Sequence, residues 1–277
     1  MPELPEVETV VRVLNSKVKG LTIQNVKITY PNLIKTDIKI GEFEEKLKGR
    51  KIDNISRIAK HIIFELQDLV LISHLRMEGK WFVYDKGTLY DTKHVEAIFE
   101  LSDDKFMIYN DTRKFGTFHL QDKLTFRNEK PINKIGPEPF NSTLNGQYLM
   151  DIMSKSNKHI KTVLLDQTKI SGIGNIYADE ILFDSKIHPE KRASALGLKN
   201  YNDILKSSIK ILNRSIELGG STIDSYQPEQ GIDGKFQREL KVHLRKSKPC
   251  FDCGRIIEKI KVNGRGTYFC PECQNLY

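Results

Sequence analysis

The chain begins Met1-Pro2-Glu3-Leu4-Pro5-Glu6-Val7-Glu8, and this stretch leads into an apolar stripe of Val7, Val10, Val11, Leu14 and Val18. The i, i+3, i+4, i+7 spacing of the stripe predicts an amphipathic helix. Pro5 suits the first helical position, and glutamates in the first turn complement the helix dipole. The sequence therefore predicts that a helix starts within the first eight residues.

Pro2 gives this helix start a second interpretation. If Met1 is removed, the chain starts with a secondary amine beside the positive end of a helix dipole, which disfavours the protonated amine. A neutral amine is a nucleophile, and Glu3 and Glu6 supply carboxylates that can act as acid or base. The alternative is an ordinary helix cap with solvated charges.

Composition limits the class of protein. A length of 277 residues suits two domains and a small module, and 39% hydrophobic residues support ordinary cores. The formal net charge of +8 indicates an anionic partner, either nucleic acid or a membrane surface. No apolar run approaches the ~18 residues of a membrane span, and no signal peptide is visible.

All the cysteines lie near the C-terminus, in the pattern Cys250-x2-Cys253-x16-Cys270-x2-Cys273. Clustered cysteines indicate a metal site in a reducing compartment, whereas secreted disulfide proteins spread theirs. Four thiolates leave no open coordination position, so the spacing predicts one structural Zn²⁺. Alternating apolar residues followed by Asn263-Gly264 predict a β-hairpin zinc finger that presents Arg265 outward.

The region from about residue 21 to 120 has short β-like segments at the spacing typical of an all-β sandwich. The predicted strands are Thr22–Tyr30, Lys51–Ile58, His61–Leu66, Leu69–His74, Trp81–Tyr84, Glu96–Leu101 and Lys105–Asn110.

Residues 131–143 carry three prolines and a glycine and are the best linker in the chain. The helices predicted after it are Leu144–Met153, Ile160–Thr168, Asn175–Ser185 and Asn200–Leu218, the last with an apolar face of Tyr201, Ile204, Leu205, Ser208, Ile209, Leu212 and Ile216. We thus expect an α+β multidomain protein: an N-terminal β-sandwich domain with an N-terminal helix (1–130), a linker (131–143), a helical domain (144–234) and a zinc-finger module (235–277).

Three segments of the β region combine charge with a loop position: Lys60, His74–Gly79 and Asn110–Gly116. Lys and Arg side chains hold phosphates, and apolar side chains such as Met77 and Phe115 can wedge between bases. A solvated loop explains each segment taken singly, but together they indicate an edge that faces DNA. His94 fits a strand edge, as a core residue or a phosphate contact.

Two features of the C-terminal half point to the same partner. Gly172-Ile173-Gly174-Asn175 opens a helix with free N–H groups, which makes either a phosphate seat or a tight turn between helices. From Lys235 to Arg265 there are ten Lys or Arg and three Asp or Glu residues. This bias favours nucleic-acid contact over a solvated face.

The chain resembles the bacterial formamidopyrimidine-DNA glycosylase (Fpg/MutM) family. The opening residues 1–10 match the start of that family, whereas the sister endonuclease VIII family typically has Gly where this chain has Leu4. Leu165-Asp166-Gln167 with Gly172–Tyr177 resembles the helix-two-turns-helix motif of the family, Ile187-His188-Pro189 also matches, and Val262–Gln274 resembles its finger. The resemblance implies a β-sandwich with the first helix, a helix-two-turns-helix domain and a zinc finger, with DNA in the cleft between them.

The resemblance also implies the chemistry, which is base excision repair of duplex DNA that contains oxidised purines or abasic sites. The family is a bifunctional glycosylase and abasic-site lyase that cleaves the strand by β,δ-elimination. Pro2 would be the nucleophile at C1′, Glu3 would assist opening of the sugar, and Glu6 would support this site. Such an enzyme is expected to act as a monomer in the cytoplasm, at the nucleoid, with no membrane association.

The remaining implied site residues contact DNA. Lys60, His74, Asn175 and Arg265 would hold the phosphates around the flipped nucleotide, with Lys60 and Arg265 belonging to the catalytic set. Met77, Arg113 and Phe115 would fill the gap left by the damaged base, with Arg113 facing the opposite cytosine. Extrusion of the base is required because C1′ is buried in the duplex.

Two departures from the family pattern bear on lesion preference. Asp224-Ser225 precede Tyr226 where the family usually has Arg-Asp or Arg-Thr, in a loop that covers the flipped base. His243-Leu244 replace a Tyr-Gly pair whose tyrosine contacts phosphate, and we expect His243 to donate to phosphate in its place. Loss of the glycine should alter the approach to the finger.

Three other functions were weighed against this interpretation. Leu4 and the Met77, Arg113 and Phe115 set argue against an endonuclease VIII-like enzyme for oxidised pyrimidines. Pro2 and Glu3 argue against a non-catalytic binder of damaged DNA, although removal of Met1 must be measured by intact mass. A metallohydrolase is disfavoured because no open-site ligand set is present.

Overall fold

The computed structural model describes residues 1–221 and 234–276. The described residues form two compact units, Met1–Asn133 and a second that combines Lys134–Ser221 with the chain from Gly234 onward. The division lies inside the predicted linker. The second unit contains both the helices and the finger, which the sequence analysis had assigned to separate domains.

Helix α1 (Leu4–Val18) begins where the sequence predicts, with Glu3 at the N-cap and Pro5 in the first turn. Its apolar stripe is buried in the core of the first unit. The other end of the helix is fixed to strand β2 (Asn54–Ile58) by Asn15, whose amide oxygen accepts the Ile55 N–H at 3.0 Å and whose amide nitrogen donates to the Ile55 carbonyl. Asn15 thus satisfies the open edge of a sheet.

Two four-stranded antiparallel sheets form the body of the first unit. One has the order β1-β6-β7-β5, built from Ile23–Ile28, Val95–Leu101, Lys105–Asn110 and Lys80–Asp85. The other has the order β2-β3-β4-β8, which adds His61–Leu66, Leu69–His74 and Thr117–Asp122. Both sheets contribute to one core cluster, so the predicted β-sandwich is confirmed.

Trp81 stands at the centre of the aromatic part of this core. Its ring stacks on Phe118 at a centroid distance of 5.3 Å and lies 5.1 Å from Tyr109. Its indole N–H donates to Ser73 at 3.1 Å, so the polar atom of the ring is satisfied. These rings hold β5, β7 and β8 at the end of the sheets from which the predicted DNA-facing loops leave.

A strand and an α-helix of the first unit are absent from the sequence prediction. The predicted β region reaches about residue 120, but its last predicted strand is Lys105–Asn110, so strand β8 is missing from the prediction. Helix α2 (Ile40–Leu47) is eight residues long and buries only Phe43 and Leu47, too few positions for a helical period to be recognised.

The second unit contains four helices: α3 (Gly146–Met153), α4 (Ile160–Leu164), α5 (Asn175–Asp184) and α6 (Leu198–Glu217). All four were predicted, but α4 ends four residues early. Asp166 accepts hydrogen bonds from the Thr168 N–H and hydroxyl at 3.1 and 2.7 Å, a local turn that competes with the helix. In α6, Ile211 and Ser215 are buried where the sequence analysis had chosen Ile209 and Ile216.

The finger is a two-stranded hairpin of β9 (Glu258–Val262) and β10 (Arg265–Phe269), as predicted. Its turn is Asn263-Gly264, and both residues have positive φ. The finger packs on the helical region through one apolar cluster that includes Phe183 of α5 and Tyr268 of β10. The side chain of Gln274 adds a tether, because it accepts the Cys270 N–H and donates to the Ile187 carbonyl, both at 2.9 Å.

Only the first part of the predicted linker (131–143) connects the two units, and the rest belongs to the second unit. From Gly136 onward it is held to the second unit, because the Gly136 N–H donates to the Gln167 carbonyl at 2.8 Å and the Pro137 carbonyl accepts the Ser171 N–H at 2.9 Å. A side chain at Gly136 would overlap the backbone of Thr168. Among the helices of the described ranges, none is long and apolar enough to cross a membrane.

We expect Asn15→Ala to lower the free energy of unfolding by about 1–3 kcal/mol, because the N–H and carbonyl of Ile55 both lose a partner in a half-buried position. Urea unfolding measures the change. Ser16→Ala is the control, since the Ser16 hydroxyl is exposed and bonds only the Val13 carbonyl of the same helix. Equal stabilities of the two variants would contradict the structural role of Asn15.

Candidate active site and nucleic-acid interface

The residues that precede and open α1 are buried, although two of them carry charge. Pro2 is buried beneath an exposed Met1, while Glu3 and Glu6 are 2% and 4% exposed. The Glu3 N–H donates to Oε2 of Glu6 at 2.8 Å, so Glu6 fixes the backbone that carries Glu3. This burial excludes the alternative of a helix cap with solvated charges. It leaves a proline nitrogen and two carboxylates gathered at one helix start.

An ion pair connects this helix to the turn that carries Lys60. Arg57 donates to Glu8 of α1 at 3.0 Å and, through a second nitrogen, to the Ala59 carbonyl at 3.0 Å. Burial raises the pKa of Glu8, but hydrogen bonds from Arg57 and Arg12 outweigh it, so the net shift is downward. Lys60 itself is 5% exposed. A solvated loop therefore does not describe this lysine, which is recessed in the unit that also holds Pro2.

His74 ends strand β4 as a neutral imidazole. Burial and the neighbouring His61, Arg76 and Lys60 lower its pKa well below the usual value. Its Nδ1 accepts the Arg76 N–H at 3.0 Å, so the single ring proton belongs on Nε2. Nε2 is the atom left to donate a hydrogen bond to a phosphate oxygen, which agrees with the phosphate contact expected for His74.

His74 belongs to a group of uncharged histidines. Burial, followed by Arg76, lowers the pKa of His61 to about 3, and burial, followed by Lys35, lowers the pKa of His119 to about 4. The His61 and His74 rings meet edge to face at 4.5 Å. Burial is the main reason that these imidazoles are neutral, and the charges of nearby lysine and arginine residues lower their pKa further. Such a concentration of positive charge is suited to an anion.

The loop from Asn110 to Gly116 is organised by Asp111, a residue to which the sequence analysis gave no role. Asp111 is fully buried, and its carboxylate accepts the N–H groups of Arg113, Phe115 and Gly116 at 2.9, 3.0 and 2.8 Å. A carboxylate near the start of a loop that can bond several following N–H groups is the signal that could have found it.

Asp111 fixes the backbone while the side chains beyond it remain outside. Phe115 is 52% exposed, and the Arg113 guanidinium lies 4.9 Å from the centre of its ring. Met77, in the loop between β4 and β5, is 36% exposed. The structure thus brings the predicted wedge residues to the surface of the first unit, on loops with fixed backbones. His94 is half-buried at positive φ, and its carbonyl accepts the Asp111 N–H at 3.0 Å.

Glu96 of β6 is a second buried carboxylate near this loop. It is 1% exposed, and within residues 1–221 and 234–276 neither of its carboxylate oxygens has a hydrogen-bond partner. Burial, followed by repulsion from Asp111, raises the pKa of Glu96 to about 7, with Lys114 opposing the shift. Glu96 therefore titrates near neutral pH.

In the second unit, Gln167 holds the glycine turn that precedes α5. Its side-chain oxygen accepts the Gly172 N–H at 2.9 Å and its nitrogen donates to the Ile173 carbonyl at 2.8 Å. Gly172 has φ +90°, which explains the glycine, and Gly174 is the N-cap of α5. The turn places Asn175 in the first turn of the helix, where its amide donates to the Gly266 carbonyl of the finger at 3.0 Å.

A buried ion pair lies behind this junction. Lys161 of α4 and Asp179 of α5 are 0% and 1% exposed, and their charged atoms are 2.6 Å apart. The Lys161 ammonium also donates to the Thr267 hydroxyl at 2.7 Å and to the Gly266 carbonyl at 3.2 Å. The buried Lys161–Asp179 pair thus anchors strand β10 on its buried side. Arg265, the first residue of β10, projects into solvent as predicted.

His243 lies inside this network and not on an open surface. Its ring is 6% exposed, its Nδ1 lies 2.7 Å from Asp179, and it packs edge to face on Tyr268. These contacts give His243 a supporting role for β10, and the phosphate contact expected of it stays a prediction. Leu244 is exposed with φ +59°, so it adopts the left-handed conformation that glycine favours.

Glu180, which the sequence analysis missed, fixes the backbone at His243. Its carboxylate accepts the N–H groups of Lys241, Val242 and His243 at 2.8, 3.0 and 2.8 Å. Neither Asp179 nor Glu180 belongs to a spacing motif, so only the packing of α5 against the finger reveals them. Asp224, Ser225 and Tyr226 lie outside the described residues.

The four cysteines form the metal centre that their spacing predicts. Their sulfur atoms all lie within 4.8 Å of one another, with 3.9 Å between Cys250 and Cys273 and 3.4 Å between Cys253 and Cys270. Tetrahedral Zn–S bonds of about 2.3 Å require sulfur separations of about 3.8 Å. The Asp252 and Cys273 N–H groups point at sulfur at 3.4 and 3.5 Å. The group fits one structural zinc ion.

We expect one zinc per chain by metal analysis, and Cys253→Ser should lose the ion together with amide-exchange protection in residues 247–276, since the site closes the finger. Glu272→Gln is the control, because Glu272 lies between Cys270 and Cys273 but is exposed and is no ligand. Retention of a full equivalent of zinc and unchanged exchange in Cys253→Ser would contradict this assignment.

We expect Glu96→Gln to remove a pH dependence of stability. A folded-state pKa of about 7 against an ordinary 4.5 means that wild-type Glu96 costs nothing below about pH 4.5 and destabilises increasingly as pH rises through 7. The full difference is up to about 3 kcal/mol. Urea unfolding should show that Glu96→Gln gains much more stability over wild type at pH 8 than at pH 5.

Glu100→Gln is the matched control for this measurement, because Glu100 is an exposed glutamate on the same strand. Comparison of variant with wild type at each pH cancels the contribution of the histidines. A Glu96→Gln effect that is equal at both pH values would show that Glu96 is already ionised at pH 5.

Comparison with known proteins identifies the family. Residues 1–118 match the formamidopyrimidine-DNA glycosylase N-terminal domain, 135–227 its H2TH domain, and 247–276 the zinc finger found in FPG and IleRS. The formamidopyrimidine-DNA glycosylase of Bacillus cereus is 45% identical over 274 residues, and that of Ureaplasma parvum is 46% identical over 276, each over at least 99% of both chains.

Solved structures agree with the sequence relatives. A Lactococcus lactis FPG mutant in complex with Fapy-dG-containing DNA is 41% identical with a TM-score of 0.93. A complex of the Lactococcus lactis Fpg with abasic-site DNA has a TM-score of 0.92, and in both cases the match covers 99% of this chain and all of the other. The expected fold and zinc module are confirmed, and the chain belongs to the formamidopyrimidine-DNA glycosylase family.

Proposed function

We propose that this protein is a DNA glycosylase and abasic-site lyase that excises oxidised purines from duplex DNA, with the α-amine of Pro2 as nucleophile. The observation that carries the proposal is the burial of Pro2, Glu3 and Glu6 at the start of α1. The Lactococcus lactis relatives support the substrate class, because they are complexes with DNA that contains Fapy-dG or an abasic site.

The first step breaks the glycosidic bond. With Met1 removed, the Pro2 nitrogen uses its lone pair to form a bond to C1′, and the electron pair of the C1′–N bond leaves with the damaged base, which takes up the proton that the Pro2 nitrogen loses. Glu3 donates a proton to O4′ as the sugar ring opens, which leaves a C1′=N⁺ iminium on the proline ring.

The second step cleaves the strand. A proline iminium carries no N–H proton, so its positive charge cannot be lost by deprotonation at nitrogen. It acidifies C2′, and removal of the C2′ proton expels the 3′ phosphate by β-elimination. A second elimination expels the 5′ phosphate, and water then hydrolyses the iminium to release Pro2.

The remaining site residues hold and open the duplex. Lys60, neutral His74, Asn175 and Arg265 are proposed to contact phosphates, and the zinc finger presents Arg265. His94, Tyr226 and His243 are proposed to assist DNA binding, His243 by way of Asp179 and β10. Met77, Arg113 and Phe115 are proposed to enter the gap that the flipped nucleotide leaves.

A chromosomal DNA substrate also bears on where in the cell the protein works. We propose that it works in the cytoplasm at the nucleoid, as a monomer that binds one duplex. The proposed domain functions follow the chain: catalysis from residues 1–130, then the 131–143 linker, DNA contacts from 144–234, and phosphate contact from the finger in 235–277.

We expect borohydride to trap a covalent adduct between the processed protein and DNA with 8-oxoguanine opposite cytosine, and peptide mapping should place the DNA on Pro2. Protein that keeps Met1 should give no adduct, because its Pro2 nitrogen is in an amide, yet it should still bind the duplex. An adduct on Lys60, or full trapping by protein that keeps Met1, would overturn the assignment.

Glu3→Gln separates the two steps of the same reaction. We expect it to slow base removal by at least about 100-fold while leaving cleavage of a preformed abasic site less affected, because the latter has no glycosidic bond to break. Glu45→Gln, an exposed glutamate of α2, is the control. Faster excision of oxidised pyrimidines than of 8-oxoguanine by the wild type would instead favour an endonuclease VIII-like preference.

A further inference from the structure

The Tyr109 hydroxyl occupies an unusual place among the residues that surround the wedge loops. Tyr109 lies on β7 and is fully buried, with its ring 5.1 Å from Trp81 and 4.9 Å from Phe118. Its hydroxyl oxygen reaches the backbone of two glycines. A methyl group on either Gly79 or Gly116 would approach that oxygen closer than 3.0 Å, a contact that real Cβ atoms essentially never make.

Each of these glycines closes one of the two loops that carry the wedge residues. The Gly79 N–H donates to the Leu75 carbonyl at 2.9 Å and so closes the turn that carries Met77. The Gly116 N–H donates to Asp111 at 2.8 Å and closes the loop that carries Arg113 and Phe115. The two loops come from different strands, and the Tyr109 hydroxyl lies against the closing residue of both.

Backbone conformation does not explain glycine at these positions. Neither Gly79 nor Gly116 is among the residues with positive φ. Both positions need the space that the missing Cβ leaves for Tyr109, and at Gly79 the Leu75 carbonyl oxygen also lies in that space. The ring, in turn, cannot move away from the glycines, because Trp81 and Phe118 pack against it.

We propose that Tyr109 is a positioning residue. It fixes how far the Met77 loop and the Arg113–Phe115 loop project from the sheets, and it does so for both loops at once. The inference rests on the proposed function, in which these side chains enter the duplex. A rigid spacer between the loops would make Met77 and Phe115 enter the base stack in one fixed relation, with Arg113 held against the opposite base. Tyr109 thereby contributes to recognition of the opposite base without touching DNA.

The test compares excision of 8-oxoguanine opposite cytosine and opposite adenine by wild type and by Tyr109→Phe. This substitution removes one oxygen and keeps the packed ring, so the variant should fold. We expect the cytosine-to-adenine preference to fall by about tenfold, mainly through a higher KM, since small displacements of positioned groups have effects of this size or larger. A 2-aminopurine next to the lesion should report a weaker unstacking signal.

Two controls separate positioning from general damage. Cleavage of an abasic site in single-stranded DNA needs no opposite base, so its rate should be unchanged in Tyr109→Phe. Tyr84→Phe removes a hydroxyl from the neighbouring strand β5, where the ring stacks on Tyr90 at 5.2 Å, and should leave the base preference unchanged. An unaltered preference and 2-aminopurine signal in Tyr109→Phe would overturn the inference.

Gly116→Ala provides a second test of the positioning role of Tyr109. Its new methyl group should displace the loop and reduce the preference, and the double variant Gly116→Ala, Tyr109→Phe should recover part of it because the hydroxyl is gone. Additive effects of the two changes would also overturn the inference. If wild type fails to excise 8-oxoguanine, or Phe115→Ala keeps full preference, the proposed function has failed. If these two behave as proposed and Tyr109→Phe does not, only the role of Tyr109 has failed.

Discussion

A buried ion pair between Lys161 and Asp179 is the constraint on which the second unit depends. Two charges taken out of water are stable only when every remaining donor and acceptor finds a partner. Its partners include the Thr267 hydroxyl, the Gly266 carbonyl, the Tyr268 N–H and the His243 ring, all of which belong to the finger or its approach. The finger is therefore attached to the helices by the need to satisfy this pair, and Arg265 takes its position from that attachment.

In the first unit, the segments that carry the proposed site residues are held in place by carboxylates that accept backbone N–H groups. Glu6 holds the backbone of Glu3, and Asp111 holds three N–H groups of the wedge loop. Glu180 does the same in the second unit. In each case a buried acid with its own hydrogen bonds fixes a segment whose neighbours carry the proposed chemistry. The side chains proposed to contact DNA can then be exposed while their backbone stays fixed.

Sequence patterns predicted the elements whose signals are local. The Val7–Val18 stripe, the CxxC pairs and the Asn263-Gly264 turn each depend on residues close in the chain, and the structure confirms all three. The roles of Glu180 and Lys161 depend on partners that only the fold brings together, so no spacing reveals them. The partners of Asp111 are local, but its place at the start of a loop becomes informative only once the loop geometry is known. Resemblance to a family named the residues that would touch DNA, but only the packing shows what holds them. His243 illustrates the difference, since the resemblance predicts a phosphate contact and the packing adds the contact of its Nδ1 with Asp179.

Leu244 has a consequence for how this chain can vary. A non-glycine residue in the left-handed region typically costs about 1 kcal/mol, and the exposed Leu244 side chain recovers little of that by packing. The folded protein thus carries a small stored strain at the entrance to the finger, at a position that is open to solvent. Substitution of Leu244 by glycine or asparagine should therefore be well tolerated, because it relaxes the backbone and removes no buried contact.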